Sequence, residues 1–160
     1  MPLKVNVLSL ALKSEHVTGE LPAAEIAEGY RDELVSMGSP LAYDLDLEHQ
    51  ADGILMTGRL AMTVNCRCRR CLESFEQAVE IPAFAAVVPL EGEGAATCDG
   101  DFADLTPFLR EDMYLVLPTN PLCSPNCCGL LKKSAEGVPD SEPPEDSGES
   151  PWGALDQLKL

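Results

Sequence analysis

The sequence predicts an α+β domain: an antiparallel β-sheet with two helices and a cysteine knuckle, then a disordered acidic tail and a C-terminal anchor. Three observations predict it. Residues 41–48 and 54–68 alternate apolar with polar side chains, the period of half-buried strands. Ile26, Tyr30 and Leu34, and again Leu105, Leu109 and Met113, recur at helical spacing. Cysteines fall in two close pairs, Cys68 with Cys71 and Cys123 with Cys127. A tight turn aims both sulfurs of such a pair at one point, so two pairs can supply four thiolates to a tetrahedral zinc.

In chain order, Leu3, Val5 and Val7 alternate with Lys4 and Asn6 and predict a short strand. Residues 14–20 are polar, contain Gly19 and read as a connection. Pro22 suits a first helical turn, and the helix is expected to run to Gly38, with Pro40 just beyond. Leu41, Tyr43, Leu45 and Leu47 then alternate with Asp44, Asp46 and Glu48, giving a strand with an acidic outer face. Residues 49–53, ending in Asp-Gly, predict a hairpin connection. Ile54, Met56, Leu60, Met62, Val64 and Cys66 share the inner face of the next strand, and Cys68 continues their phase. Cys71 follows in the turn, and Phe75, Val79 and Ile81 return in a strand, so the first cysteine pair caps a hairpin. Residues 83–90 extend that strand, with Pro82 and Pro89 confining it to an edge or bulge. Residues 91–101 are Gly-rich and acidic and predict a flexible loop, in which Cys98 is an incidental thiol. Asp104 is a plausible N-cap for the second helix, with Pro107 in its first turn.

These elements give a core domain over residues 1–131. Residues 132–150, rich in Pro, Gly, Ser, Glu and Asp, predict a disordered acidic linker. Residues 151–160 hold the chain's one tryptophan, Trp152, with Leu155 and Leu158, and predict an anchor that docks on the domain or on a partner.

The formal net charge is -16 over 160 residues. Phosphate backbones repel such a chain, which disfavours broad nucleic-acid binding and favours basic proteins as partners. Asp44, Asp46 and Glu48 are the candidate residues for that contact. Arg67, Arg69 and Arg70 form the one basic patch. It can meet phosphate, or pair with the surrounding carboxylates. No stretch is long and apolar enough to span a bilayer, and the N-terminus reads as a strand rather than a signal peptide. A cytoplasmic location with reduced thiols is therefore expected.

For the cysteines, a metal site formed by Cys68, Cys71, Cys123 and Cys127 competes with buried or idle thiols and with redox or disulfide chemistry. Cys128 is the alternative fourth ligand. Four thiolates would close the coordination sphere of zinc, making it structural. His16 and His49 are expected in polar connections, and the sequence has no phosphate loop or nucleophile elbow, so no enzyme is expected.

Three ordered stretches carry a family resemblance. The first is Cys68-Arg69-Arg70-Cys71-Leu72 with Phe75. The second is Asp104-Leu105 through Glu111 to Leu115-Val116-Leu117-Pro118, with Pro121 and Cys123. The third is Pro151-Trp152-Gly153-Ala154-Leu155 with Leu158. The chain resembles the YceD-like family of bacterial and plastid proteins. Many members carry a further cysteine where Leu131 stands here, and often a polar residue in the place of Cys128. The resemblance implies a non-catalytic ribosome biogenesis factor that promotes accumulation of large-subunit ribosomal RNA. With the acidic charge, the expected partner is a basic large-subunit ribosomal protein or an assembly intermediate. Ribosomal RNA, contacted by the arginine hairpin, is the competing partner, and a zinc-stabilised interaction domain outside ribosome assembly is the third reading.

Overall fold

The computed structural model describes residues 2–130. The predicted linker and the anchor with Trp152 and Leu155 lie outside the described residues.

Strand β5 (Gly53–Arg67) is the spine. Its alternation of apolar and polar side chains buries Ile54, Met56, Leu60, Met62, Val64 and Cys66 on one face, as predicted. Along one edge it pairs antiparallel with β6 (Ser74–Pro89) over its full length. The other edge is shared by two shorter strands, β3 (Val35–Met37) and β4 (Leu41–Gln50), the latter joined to β5 by the predicted tight turn. Between those two the ladder would lapse at Thr63. Ser39 fills the gap: its Oγ accepts from Thr63 N (2.8 Å) and donates to Thr63 O (3.0 Å). Strand β2 (Glu15–Leu21) pairs with β4 and completes a five-stranded sheet.

The predicted connection at residues 14–20 is thus this strand. Gly19 misleads the reading, because a strand glycine usually marks a break. Here it faces Tyr43 across the ladder, and a Cβ on Gly19 would stand 2.5 Å from the Tyr43 hydroxyl oxygen. The tyrosine ring occupies the space that a side chain would need.

Strand β6 changes phase midway. Gly58 pairs with Phe84 and Leu60 with Ile81, so Arg59 alone opposes Pro82 and Ala83. This bulge lets Val79 face the core before it and Phe84 and Val88 after it. Pro82, without an N–H, sits where no ladder bond is required.

The apolar face is covered by a smaller antiparallel sheet and by helices. The small sheet runs β1 (Lys4–Asn6), β8 (Phe102–Asp104), β7 (Cys98–Asp99) in spatial order. Two of its strands therefore lie in or beside the expected flexible loop. Helix α1 (Val7–Leu12) packs on β4, and α3 (Thr106–Val116) packs on β6. Leu105, Leu109 and Met113 are fully buried at helical spacing, each contributing about 1.5–3 kcal/mol of apolar burial. Asp104 Oδ1 accepts from Thr106 N (2.9 Å), but the N-cap position falls to Leu105, one residue later than expected, without a side-chain cap. Helix α3 ends before Pro118.

The expected helix over residues 22–38 is cut to one turn, α2 (Ala23–Ile26). Gly29 turns the chain at φ 83, and the Tyr114 hydroxyl on α3 donates to the Ile26 and Glu28 carbonyls (2.6 and 2.9 Å). Asp32 Oδ1 then accepts from Leu34 N and Val35 N and launches β3. The stripe Ile26, Tyr30 and Leu34 still packs on the core, but only Ile26 is helical, and Tyr30 and Leu34 lie in the irregular segment before β3. Pairing with β5 overrides helical propensity. Three helices, rather than two, stand among the described residues, and Val7 begins α1 instead of ending a strand.

Candidate metal centre

The β5–β6 hairpin builds the first half of the centre. Cys68 extends the inner phase of β5 and is fully buried. The turn closes through Leu72 N to Cys68 O and Cys68 N to Glu73 O, both 2.8 Å. Leu72 takes the left-handed conformation, φ 61, that swings the chain back into β6 and leaves Cys71 beside Cys68. The second half comes from the segment after α3. Pro118 and Pro121 stiffen it, and Cys127 N donates to Ser124 O (3.1 Å), which folds Cys127 back towards Cys123.

The four predicted sulfurs meet. Cys71 Sγ and Cys123 Sγ are 3.6 Å apart, Cys68 Sγ and Cys127 Sγ are 3.7 Å apart, and all four lie within 4.8 Å of one another. All four are free thiols in this structure, with separations longer than the disulfide S–S length of about 2.05 Å. The 3.6 and 3.7 Å separations are close to the sulfur–sulfur edge of about 3.8 Å that a tetrahedral zinc with a Zn–S length of about 2.3 Å requires, and the cluster as a whole is compatible with a metal site.

The donors are chemically prepared as well. Cys68 is pulled down to about 6, chiefly by the peptide N–H of Cys123, with further N–H groups of Cys71 and Arg70 helping. Burial pushes the Cys71 thiol up, and Cys123 is pushed up to about 12 by its hydrogen bonds to the Cys71 and Cys127 sulfurs. Cys68 is therefore the most readily ionised of these three thiols, and a metal would displace the remaining protons.

The other cysteines have separate fates. Cys66 lies in the hydrophobic core, where burial raises its thiol above the ordinary range. Cys98 is exposed and outside the cluster, and Cys128 is exposed beside it, outside the four sulfurs that converge.

The arginines divide. Arg69 donates its backbone N–H to Pro121 O (3.0 Å) and its guanidinium to Asn120 Oδ1. Arg70 donates to Cys127 O (3.2 Å). Among the described residues the Arg67 guanidinium has no such partner, and it lines a shallow depression with Asp32, Glu33, Ser36, Asn65 and Ser74. Asp44, Asp46 and Glu48 lie on the exposed face of β4, opposite residues 55–59 and thus at the other end of β5 from Arg67. His16 is no loop residue: it stands on β2, 2.8 Å from Asp46 and 3.4 Å from Asp44. Sequence patterning missed this contact because it depends on the β2–β4 register. No helix of the described residues is long and apolar enough to cross a membrane.

A small α+β domain with a four-thiol centre suited to a structural metal is thus the class that fold and site define. A family model described as "Large ribosomal RNA subunit accumulation protein YceD" matches residues 56–159, so the chain belongs to the YceD family. The match takes in both cysteine pairs. Uncharacterized proteins of Mycobacterium bovis and of two Mycobacterium tuberculosis strains are 28% identical over 118 residues, covering 69% of this chain and 56% of theirs. The chain thus spans about half the length of these relatives. No solved structure matches it.

Proposed function

We propose that this protein promotes accumulation of large-subunit ribosomal RNA as a non-catalytic assembly factor in the cytoplasm, by engaging a basic ribosomal protein. Family membership supplies the pathway. The observation that carries the mode is the outer face of the large sheet. It presents Asp44, Asp46 and Glu48 on β4, Glu20 on β2, and Glu76 and Glu80 on β6, all exposed among the described residues. Arg59 on that face is already paired with Glu80 at 2.8 Å. An acidic sheet face attracts a basic protein and holds it away from nonspecific RNA contacts.

In this reading Cys68, Cys71, Cys123 and Cys127 hold one zinc. Four thiolates leave no open position for substrate, so the metal would act as a tie between the hairpin and the segment after α3. The anchor, Trp152 with Leu155, is proposed as a second contact at the end of the acidic linker. The RNA reading loses ground because Arg69 and Arg70 are bonded to the second cysteine segment, leaving Arg67 as the uncommitted member of the patch.

Depleting the protein from cells and separating ribosomal particles on a gradient tests the proposal. The expected result is a deficit of mature large subunits with normal small subunits. An unchanged profile would remove the ribosomal reading and leave an acidic interaction domain of other purpose.

A further inference from the structure

The two residues inside the first cysteine pair have a task that neither charge steering nor RNA contact explains. Arg69 and Arg70 sit between Cys68 and Cys71, so the knuckle turn fixes where both point. Together they grip the second segment at both ends. Arg69 holds Asn120 and Pro121, just ahead of Cys123, and Arg70 holds the carbonyl of Cys127. A Cβ on Gly129 would lie 3.6 Å from the Arg70 carbonyl oxygen, so the chain passes this same surface again beyond Cys127.

We infer that Arg69 and Arg70 are positioning residues of the four-thiol centre. They clasp the segment bearing Cys123 and Cys127 onto the hairpin before metal arrives, and they neutralise the centre once it is loaded. The clasp needs no metal, since each bond joins groups of the protein itself. The neutralising role rests on the zinc reading. Four thiolates around Zn2+ carry a formal charge of -2, and the two guanidinium groups supply the opposite charge within a chain whose net charge is -16. In this otherwise acidic chain, the arginine pair stands where a dianion must be tolerated. Each grip is a charge-assisted or backbone hydrogen bond to the segment carrying the ligands rather than to a ligand sulfur, and outer partners of this kind orient donors.

The test uses the full chain and compares Arg69→Gln/Arg70→Gln with Arg69→Lys/Arg70→Lys. Amide exchange over residues 118–130 is measured in chelated, reduced protein, and zinc affinity by competition with a chromophoric chelator. The Gln variant is expected to lose exchange protection over residues 118–130 and to bind zinc about 10–100-fold more weakly. Amides of β5 should stay protected in both variants, because both arginines are exposed and outside the core. The Lys variant, which keeps the charge, should recover part of the affinity. Unchanged exchange and unchanged affinity in the Gln variant would overturn the inference. Wild-type protein that takes up no zinc, yet shows the exchange difference, would support the clasp and overturn the zinc reading alone.

Discussion

Cys71 and Cys123 stand 52 positions apart in the chain, and their sulfurs lie 3.6 Å from each other. A metal at that point ties the β5–β6 hairpin to the segment after α3, so its removal should loosen both. Protein purified without chelator should carry one zinc per chain and melt at a lower temperature once chelated. Cys71→Ser or Cys123→Ser should lose the metal, while Cys128→Ser should keep it. Metal-free protein that melts identically with and without chelator would contradict this.

The metal-free cluster should give stability a specific pH profile. The Cys68 thiol lies at about 6 in the folded protein, below its ordinary 9.0, chiefly because Cys123 N–H donates to its sulfur. A depressed folded value stabilises the fold fully above 9.0, and that stability is lost as pH falls through about 6. Cys123, pushed up to about 12 by hydrogen bonds to neighbouring sulfurs, acts oppositely, so ionisation above 9.0 works against the fold. Stability of chelated, reduced protein should therefore rise between pH 6 and 9 and fall beyond it. Urea midpoints measured across this range check the profile, and Cys68→Ala should flatten the rise.

Ser39 offers a test of the sheet. Its hydroxyl serves both backbone groups of Thr63 where β3 gives way to β4. Ser39→Ala leaves a partly buried N–H and carbonyl without that partner, which costs about 1–3 kcal/mol. Ser39→Thr retains the hydroxyl and should cost less. Denaturant unfolding of both variants measures the difference, and equal stability of Ala and wild type would refute the role.

What could be read from the sequence follows from the range of the interactions involved. The alternation in β4 and β5, the spacing of Leu105, Leu109 and Met113, and the two cysteine pairs are local patterns, and each reappears as structure. The helix over residues 22–38 failed because its competitor is nonlocal. Val35–Met37 gains a ladder with residues 64–66, and no pattern within the segment reports that partner. The same holds for β2, whose Gly19 makes sense only beneath Tyr43. In the candidate site the two cysteine pairs that converge were legible, but Asn120, Pro121 and the Cys127 carbonyl as arginine partners were not. Those contacts require the two halves to be assembled.

On composition alone, residues 132–150 are proposed as a tether and Trp152 with Leu155 as the anchor it carries, all outside the described residues. Shortening the linker by a few residues should change partner capture little. Trp152→Ala should weaken it severalfold, because a large aromatic side chain concentrates contact energy. Capture of tagged variants from cell extract, with ribosomal proteins quantified, compares the two. Equal losses from both changes would contradict the division of labour.

The outer sheet face separates the protein-partner reading from the RNA reading. Replacing Asp44 and Asp46 with Asn and Glu48 with Gln removes three negative charges from β4 without touching its buried side chains, which alternate to the other face. His16 loses its two carboxylate partners in this variant, but such exposed pairs contribute only about 0–1 kcal/mol to folding. Fold stability should therefore hold while affinity for basic ribosomal proteins falls by an order of magnitude or more. The wild-type affinity should itself decline with added salt, over a screening length of about 8 Å at physiological ionic strength. Arg67→Ser is the complementary change, because its guanidinium is uncommitted among the described residues. It should spare protein binding. If Arg67→Ser instead abolishes capture and the β4 substitutions leave it intact, the face has been misassigned and the partner is RNA.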